Sequence, residues 1–486
     1  MDHYPSILEQ AEGLRPDSVA SVFTEARSGI RLVCVPGGEP AAGRIELAGS
    51  SVSLTTAGSA LARPDGSYSE TPCLAWVDQA GDLGFYGTIE DETMRQGLSD
   101  LAREAWGGTD LGDFDAASAR WPPPCELIEL TGDVRDALMA DMPGLTCMMM
   151  FESWAQQVAC ASSGYAAARD TRSSSFGLVA VLMECDGAAS LGAVPCRPAD
   201  SSADAIRVSL LRAGEEALAT AAESLGTPYP EPGRYDTVWD GIAATAVVHE
   251  GLGHTLEARH GASSVMSSRM GQQVTSDKIT VVEDPTTPGV VGGYRFDDEG
   301  VPSRRSVLIE EGVLRQMMHD RGTALALGVP PNGHGRRGSF RVPGMARMAN
   351  TSLLGNDVDP ESLIGSIERG LFITRAMGGR SGVSGVFKVI IGQARVIERG
   401  RLGGTLSGFL VRAGIDEGLM RWRVAGPATE PLTGDCGLRP EQTITVSTSS
   451  PVLLIPDVEV VRPLTGQDIL AMFRDPGYSI KLLDSI

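Results

Sequence analysis

The spacing of hydrophobic residues in the first part of the chain predicts several β-strands. Residues 30–35 and 73–77 are rich in β-branched, aromatic and other apolar side chains, as half-buried strands are. A Gly/Asp turn separates 73–77 from residues 83–89, so we expect these two segments to pair as a hairpin. Residues 153–160 and 176–185 flank a Ser-rich segment and predict another pair of strands.

Segments with helical spacing alternate with these strands. One predicted helix carries an apolar stripe formed by Met94, Leu98, Leu101, Ala102 and Ala105. A second helix is predicted around Val134, Leu138 and Met142, and a third, rich in Ala and Leu, over residues 207–224. The first part of the chain is therefore predicted to be an α/β domain.

A Pro-dense linker, GTPYPEPGR at residues 226–234, cannot continue the third helix. It divides the N-terminal α/β domain, residues 1–225, from a second domain, residues 235–486. Beyond residue 270, short apolar runs alternate with Gly, Pro and Asp, which is the pattern of an antiparallel sheet system. These runs cover residues 278–282, 307–309, 312–317, 386–391, 394–397, 443–447 and 451–455. One predicted helix, residues 360–369, interrupts them.

The composition excludes several classes of protein. The 486 residues are 42% hydrophobic and 21% charged, as in ordinary globular proteins. A net charge of −21 gives no overall attraction for nucleic acid or anionic lipid, so we predict neither nucleic acid nor membrane as a partner. The first residues lack a signal-peptide pattern, and the apolar runs are too short to span a membrane. Eight scattered cysteines without a C-x-x-C pair indicate reduced thiols, so we expect a cytoplasmic protein.

The most informative segment is TAVVHEGLGHTLEARH, which contains His249, Glu250 and His254 in an H-E-x-x-x-H spacing. The commoner zincin motif, H-E-x-x-H, puts its histidines one turn apart on one helix face. Here the spacing is one residue longer, so in a regular α-helix the two imidazoles would point about 140° apart. A π-type widening or a kink at Gly251 and Gly253 would bring them together. We therefore predict a distorted metal-binding helix at the junction of the two domains.

The alternative is a buried helix whose histidines are ordinary core residues. This alternative explains a single histidine well, but it explains two histidines beside a glutamate less well. His260 has the spacing of the same helix but lies outside the motif, and we interpret it as a surface residue. Two histidines leave a catalytic zinc site one protein ligand short. Cys436, in the turn-forming sequence TGDCG, is the best candidate for the third ligand, and a buried inert cysteine is the alternative.

Five segments of the chain recur in one known family. They are VVHEGLGHTLEA, DDEGVPSRRSVLIEEGVLRQMMHDR, NGHGRRGSFRVPGMARMANTSLL, GVFKVIIGQARVIERGRLGG and TGDCGLRPEQTITVSTSSPVLLIPDVEVV. On these segments, residues 150–460 resemble the TldD/PmbA family of zinc metallopeptidases, specifically its catalytic TldD-like branch. Residues 1–145 resemble the family poorly.

The resemblance implies a zinc site, a fold and a partner. In the family, residues matching His249, His254 and Cys436 bind one Zn²⁺ per chain, and the residue matching Glu250 is the general base. The implied fold is α+β, with an N-terminal α/β domain joined to a β-rich C-terminal domain. A PmbA-like paralogue without the zinc motif pairs with the catalytic subunit in this family, which implies a heterodimer here.

We therefore interpret the protein as a zinc-dependent peptidase that hydrolyses peptide bonds. General degradation and the trimming of one specific peptide or biosynthetic precursor are both compatible with the sequence. Two alternatives stay open, a zinc amidohydrolase acting on a small metabolite and a non-catalytic scaffold subunit with a structural zinc. The intact Glu250 disfavours the scaffold, because a structural site needs no base beside its ligand.

Between Arg304 and Arg347 the sequence contains eight arginines and three acidic residues, so the local charge is positive although the net charge of the chain is negative. A docking patch for a substrate carboxylate or an acidic partner is one interpretation, and a solvated or salt-bridged face is the commoner role of such runs. Within it, residues 332–337 (NGHGRR) are candidates to stabilise a tetrahedral oxyanion, with a structural Gly-rich turn as the alternative.

Overall fold

The structure is a computed structural model that mixes helices and strands throughout, which confirms the predicted α+β class. It describes residues 3–15, 18–34, 40–55, 73–86, 89, 91–108, 121–140, 145–186, 188–382, 385–437, 442–474 and 478–486. Within these ranges, no helix is long and apolar enough to cross a membrane.

The N-terminal part is an antiparallel sheet with helices on one face. Its strands are β1 (Val19–Cys34), β2 (Ala41–Thr55), β3 (Cys73–Asp78), β4 (Leu83–Tyr86), β5 (Leu145–Ser162), β6 (Tyr165–Cys185) and β7 (Ala188–Cys196), in the order β4-β3-β2-β1-β5-β6-β7. The helices that cover the sheet are α1 (Tyr4–Leu14), α2 (Glu92–Gly108), α3 (Pro124–Met139) and α4 (Ala203–Ser224). They pack on the face that carries Val22 and Leu32, because alternate residues of a strand share a face.

The predicted strands and helices of this part are confirmed, with one change. Segments 73–77 and 83–89 pair as β3 and β4. Residues 87–88 of the second segment, Val35 of the first predicted strand and Met142 of the second predicted helix lie outside the described residues. The Ser-rich segment between residues 160 and 176 is not a loop but part of β5 and β6, which pair from Leu145 to Ser162. Backbone pairing continues through it because small polar side chains do not interrupt a ladder.

Two further sheets are built from residues 233–463, so their first strand already begins at the end of the predicted linker. One comprises β8 (Gly233–Trp239), β15 (Arg369–Ser381), β16 (Val386–Glu398), β17 (Arg401–Gly414), β18 (Arg423–Ala425) and β21 (Val452–Pro463), in the order β17-β16-β15-β8-β21-β18, and β17 also pairs with β21. The other comprises β9 (Val281–Glu283), β10 (Ser306–Glu310), β11 (Val313–Leu314), β14 (Asn350–Leu353), β19 (Leu432–Gly437) and β20 (Thr443–Ser449), in the order β11-β10-β9-β14-β20-β19. A small separate ladder joins β12 (Gly335–Arg336) to β13 (Met345–Ala346).

The remaining α-helices are short: α5 (Gly241–Val247), α6 (Arg321–Leu327), α7 (Glu361–Gly365), α8 (Ile415–Gly418), α9 (Gly466–Arg474) and α10 (Tyr478–Asp484). The predicted helix at 360–369 is therefore shorter than expected, because β15 already begins at Arg369. The expectation of purely antiparallel sheets is wrong at two places, since β14 is parallel to β20 and β15 is parallel to β8. In both pairs a long stretch of chain separates the strands, as parallel pairing requires.

The core of the C-terminal part surrounds α5, which lies between the two larger sheets. Ala244 and Val248 share one buried cluster with Ile373 of β15 and Val446 of β20. A separate cluster joins Phe23, on the helix-free face of the N-terminal sheet, to residues of the C-terminal part. The helix that carries the H-E-x-x-x-H motif is thus held on both sides by packed strands.

Candidate metal centre

The helix that carries the motif changes its geometry at the first histidine. Helix α5 begins at Asp240, whose side chain accepts a hydrogen bond from the Ile242 backbone N–H. It runs into a π-helical turn over Val248–Gly253, and the N–H of His254 donates to the carbonyl of His249, five residues back. The predicted widening of the helix is therefore confirmed.

Both glycines of the motif are needed for close packing at this turn. A Cβ on Gly253 would lie 2.0 Å from the Met348 sulfur, and one on Gly251 would lie 3.2 Å from the Phe387 ring. Since real side chains do not approach that closely, residue 253 has room only for glycine. The glycines thus let the widened turn lie directly against the surrounding strands.

The widened turn brings the three predicted ligands together. One donor atom from each of His249, His254 and Cys436 lies within 4.8 Å of the other two. The imidazole centroids are 4.8 Å apart at an interplanar angle of 85°, and the Cys436 Sγ lies 3.4 Å from the His254 Nε2. The histidines are half-buried and Cys436 is buried, so a small ion could bind here largely shielded from water.

This donor set suits zinc. Two imidazoles and a thiolate are ligands that Zn²⁺ prefers, and three protein ligands leave a fourth position open. Among the residues that the structure describes, no other group of three His, Cys, Asp or Glu side chains converges in this way. The chemistry and the convergence of these side chains therefore fit a zinc ion.

The charges around Cys436 favour its thiolate form. Burial alone would raise the pKa of this thiol, but the cationic His254, Arg347 and His249 outweigh it and hold the pKa well below its ordinary value. Burial would likewise lower the pKa of His254, yet the Cys436 and Glu257 charges raise it to about 10. A metal that binds these imidazoles must therefore displace protons from them.

Two residues of the site were not found from the sequence. Glu257 accepts a hydrogen bond from His254 Nδ1 at 3.1 Å, which turns Nε2 toward Cys436. Arg347 donates to the Cys436 Sγ at 3.1 Å and pairs with Glu257 at 3.5 Å. His254, Glu257, Arg347 and Cys436 thus form a closed ring of buried charged groups. The spacing of Glu257, three residues after His254, could have indicated it, whereas nothing local in the sequence marks Arg347.

The carboxylate of Glu250 lies at the open side of the site. Its Oε2 is 3.9 Å from the His254 Nε2, and its side chain is 10% exposed. The side chain passes close to Gly379 of β15, where a Cβ would lie 2.6 Å from the Glu250 Cγ. Among the described residues we find no hydrogen-bond donor to this carboxylate, and its ion-pair contact there is with His254.

One interpretation of another candidate is wrong, and a second holds only in part. His260 is buried rather than at the surface, and burial next to Arg259 lowers its pKa to about 3. The arginine-rich segment is partly a salt-bridged face, since Arg315 pairs with Glu310 and Arg341 with Asp78, but Arg336, Arg337 and Arg347 are buried. Charge runs alone could not reveal this, since the sequence does not say which arginines other elements cover.

Of the oxyanion candidates, Asn332 is held by backbone groups and not by the site. Its amide donates to the Met317 carbonyl and accepts from the His319 N–H, at 2.8 and 2.7 Å. This is the bonding of a structural turn.

Substitution of Arg347 should weaken metal binding without removing a ligand. In Arg347→Met the thiolate loses its hydrogen bond and Glu257 loses a counter-charge, so we expect zinc affinity to fall about 10–100-fold. Competition with a chromogenic chelator measures this. Arg259→Met is the matched control, since Arg259 pairs with Glu257 at 2.7 Å but has no bond to Cys436. Equal losses of zinc affinity in both variants would show that the hydrogen bond from Arg347 to the Cys436 sulfur does not contribute to zinc binding.

Comparisons with known proteins find metallopeptidase relatives for the C-terminal part of the chain. Residues 232–462 match the family described as PmbA/TldA metallopeptidase C-terminal domain. A Haemophilus influenzae protein named metalloprotease TldD homolog is 34% identical over 227 residues, 46% of each chain. A Saccharolobus solfataricus protein named zinc metalloprotease TldD homolog is 26% identical over 174 residues, 36% of this chain and 39% of that one. The chain thus spans less than half the length of these relatives.

Solved structures share the fold over nearly the whole chain. TldE from Thermococcus kodakarensis superposes with a TM-score of 0.65 and 15% identity, covering 94% of this chain and 99% of that one. A putative modulator of a DNA gyrase from Thermotoga maritima gives the same TM-score at 14% identity, covering 94% of this chain and all of the other. At such identities the likeness concerns the fold alone.

Proposed function

The C-terminal half of this chain belongs to the TldD/PmbA family of metallopeptidases, and from this premise we propose that the protein is a zinc-dependent peptidase. His249, His254 and Cys436 hold one Zn²⁺, and Glu250 is the general base. The observation that carries the proposal is the convergence of three donor atoms within 4.8 Å beside the Glu250 carboxylate, whose Oε2 lies 3.9 Å from the His254 Nε2. A structural zinc would need no such carboxylate.

The side chains divide the work of hydrolysis. When bound, Zn²⁺ would polarise the scissile carbonyl and make a water molecule acidic enough to lose a proton near neutral pH. Glu250 accepts that proton at its carboxylate and later delivers it to the leaving amine nitrogen. Glu257 holds His254 in the tautomer that presents Nε2, and Arg347 compensates the charge of the Cys436 thiolate.

The substrate we propose is a peptide, and the proposed partner is a paralogous subunit without the zinc motif. The likeness to a structure named TldE supports a shared fold for the two subunits. We further propose a cytoplasmic location and a domain boundary at residues 226–234. The first sheet lies entirely before this segment, and the other sheets begin at its end, where Gly233 is the first residue of β8, which supports a boundary within it.

Removal of the metal provides the test. A chelator should abolish cleavage of a mixed peptide library, and stoichiometric zinc should restore it, while circular dichroism stays unchanged because packed strands hold the motif helix on both sides. Magnesium at the same concentration is the matched control, since it avoids thiolate ligands. Cleavage that survives complete loss of zinc would contradict the proposal.

A further inference from the structure

A cavity of about 340 Å³ lies between the helix-free face of the N-terminal sheet and the C-terminal part. Its walls include β1, β5 and the strand pair β19–β20. The lining is unusually cationic for so acidic a chain, with six arginines: Arg27, Arg31, Arg172, Arg336, Arg337 and Arg341. A volume of this order can hold a side chain or a chain terminus of a peptide.

The cavity adjoins the proposed metal centre. Asp435 lines it, and the next residue along β19 is Cys436. Because alternate residues of a strand point to opposite faces, Asp435 faces the cavity while Cys436 faces the histidines. The edge strand β19 therefore carries a residue of the cavity and a residue of the proposed metal centre side by side.

Two of the arginines are buried without a direct ion pair. Arg336 and Arg337 are 8% and 6% exposed, and among the described residues neither guanidinium group lies within 4.0 Å of a carboxylate oxygen; the nearby Asp298 instead accepts from the Arg337 backbone N–H and pairs with Arg172. Arg336 donates to the carbonyls of Met348 and Thr445, and Arg337 donates to serine hydroxyls. In both residues the Nε has no hydrogen-bond partner among the described residues. A buried cation that meets only neutral acceptors is costly, so such groups commonly serve a ligand.

The acidic residues of the lining do not balance this charge. Glu152 is bound to Arg31 at 2.6 Å, and Asp298 makes an ion pair with Arg172. The third, Asp435, accepts a hydrogen bond from the Thr445 hydroxyl at 3.2 Å. Because Arg27 pairs with Glu25 and Arg341 with Asp78, Arg336 and Arg337 are the lining arginines whose guanidinium groups have no ion pair among the described residues.

We propose that this cavity is a subsite for a carboxylate group of the substrate, so that the enzyme prefers anionic peptides. The proposal rests on the proposed peptidase function and adds a substrate class to it. Planar guanidinium groups match carboxylates in geometry as well as in charge. In a peptide the carboxylate is either an Asp or Glu side chain or the free C terminus.

Binding to the Glu250→Gln protein tests the subsite without cleavage. Calorimetry would compare short peptides that differ only by Glu or Gln at one position, and the same peptides with a free or an amidated C terminus. The first comparison measures the contribution of a side-chain carboxylate to binding, and the second measures that of the C-terminal carboxylate. We expect one of the two to change Kd by about tenfold or more, as hydrogen bonds to a charged group do.

Two variants locate the preference in the cavity. Arg336→Gln removes a buried positive charge from the lining. Arg341→Gln removes a positive charge at a side chain that is 43% exposed, where the substitution carries little risk to folding. Both substitutions should reduce the preference for the acidic peptide over the neutral one at least about threefold. Arg399→Gln, at a side chain 88% exposed outside the cavity lining, is the matched control and should leave it unchanged.

Three outcomes would overturn the subsite: no peptide binds, acidic and neutral peptides bind alike, or Arg399→Gln reduces the preference as much as Arg341→Gln. Failure of the subsite and failure of the peptidase remain distinguishable. If the wild type cleaves acidic and neutral peptides equally, only the subsite is wrong. If acidic peptides bind selectively and none is cleaved, only the peptidase is wrong.

Discussion

Glu250→Gln should cleave peptides at least about 10²–10⁴-fold more slowly than the wild type, because the substitution keeps the size of the side chain and removes the base. Zinc content and thermal stability should stay close to wild type. The reason is structural: Glu250 is not one of the three converging ligands, and among the described residues no donor binds its carboxylate. Single-turnover cleavage of a fluorogenic peptide by zinc-loaded protein measures the loss.

Glu368→Gln is the matched control for this result, since it makes the same chemical change at a side chain that is 85% exposed. It should cleave at the wild-type rate. Near wild-type cleavage by zinc-loaded Glu250→Gln would contradict the role of general base. If the wild type also cleaves nothing, even with a motif-lacking paralogue present, a scaffold with a structural zinc becomes the better account.

Much of the site could be predicted from the sequence because few helix geometries allow the two motif histidines to bind one ion. Two histidines five residues apart cannot meet on a regular α-helix, so a shared ion requires the widening that is present at Val248–Gly253. The turn-forming sequence around Cys436 makes it a candidate and the family resemblance strengthens it, whereas no local pattern places it near a helix 182 residues away.

The parts that could not be predicted depend on long-range contacts. Arg347 reaches Cys436 across 89 residues of sequence, and its role follows from burial that a charge run does not reveal. The same holds for Arg336 and Arg337, which belong to an apparently solvated run but lie inside the molecule. The two parallel strand pairs were missed for a related reason, since short alternating runs predict strands but not their neighbours.

Cys436→Ala should have the largest effect on the metal. It removes the sole anionic ligand of the three and leaves a buried Arg347 without the sulfur that accepts its hydrogen bond. We expect zinc affinity to fall by more than about 100-fold, because loss of a residue that only supports a ligand already costs about 10–100-fold. Cys160→Ala is the matched control, because this cysteine is equally buried but lies in the N-terminal sheet.

The position of zinc in crystals of the wild type and of Cys436→Ala tests the central claim most directly. Anomalous scattering at the zinc edge should give one site per wild-type chain, about 2.0–2.1 Å from a nitrogen of His249 and of His254 and about 2.3 Å from the Cys436 sulfur. The Cys436→Ala crystal, grown at equal zinc concentration, should show that site depleted. A wild-type zinc bound elsewhere, or an undiminished site in Cys436→Ala, would contradict the account.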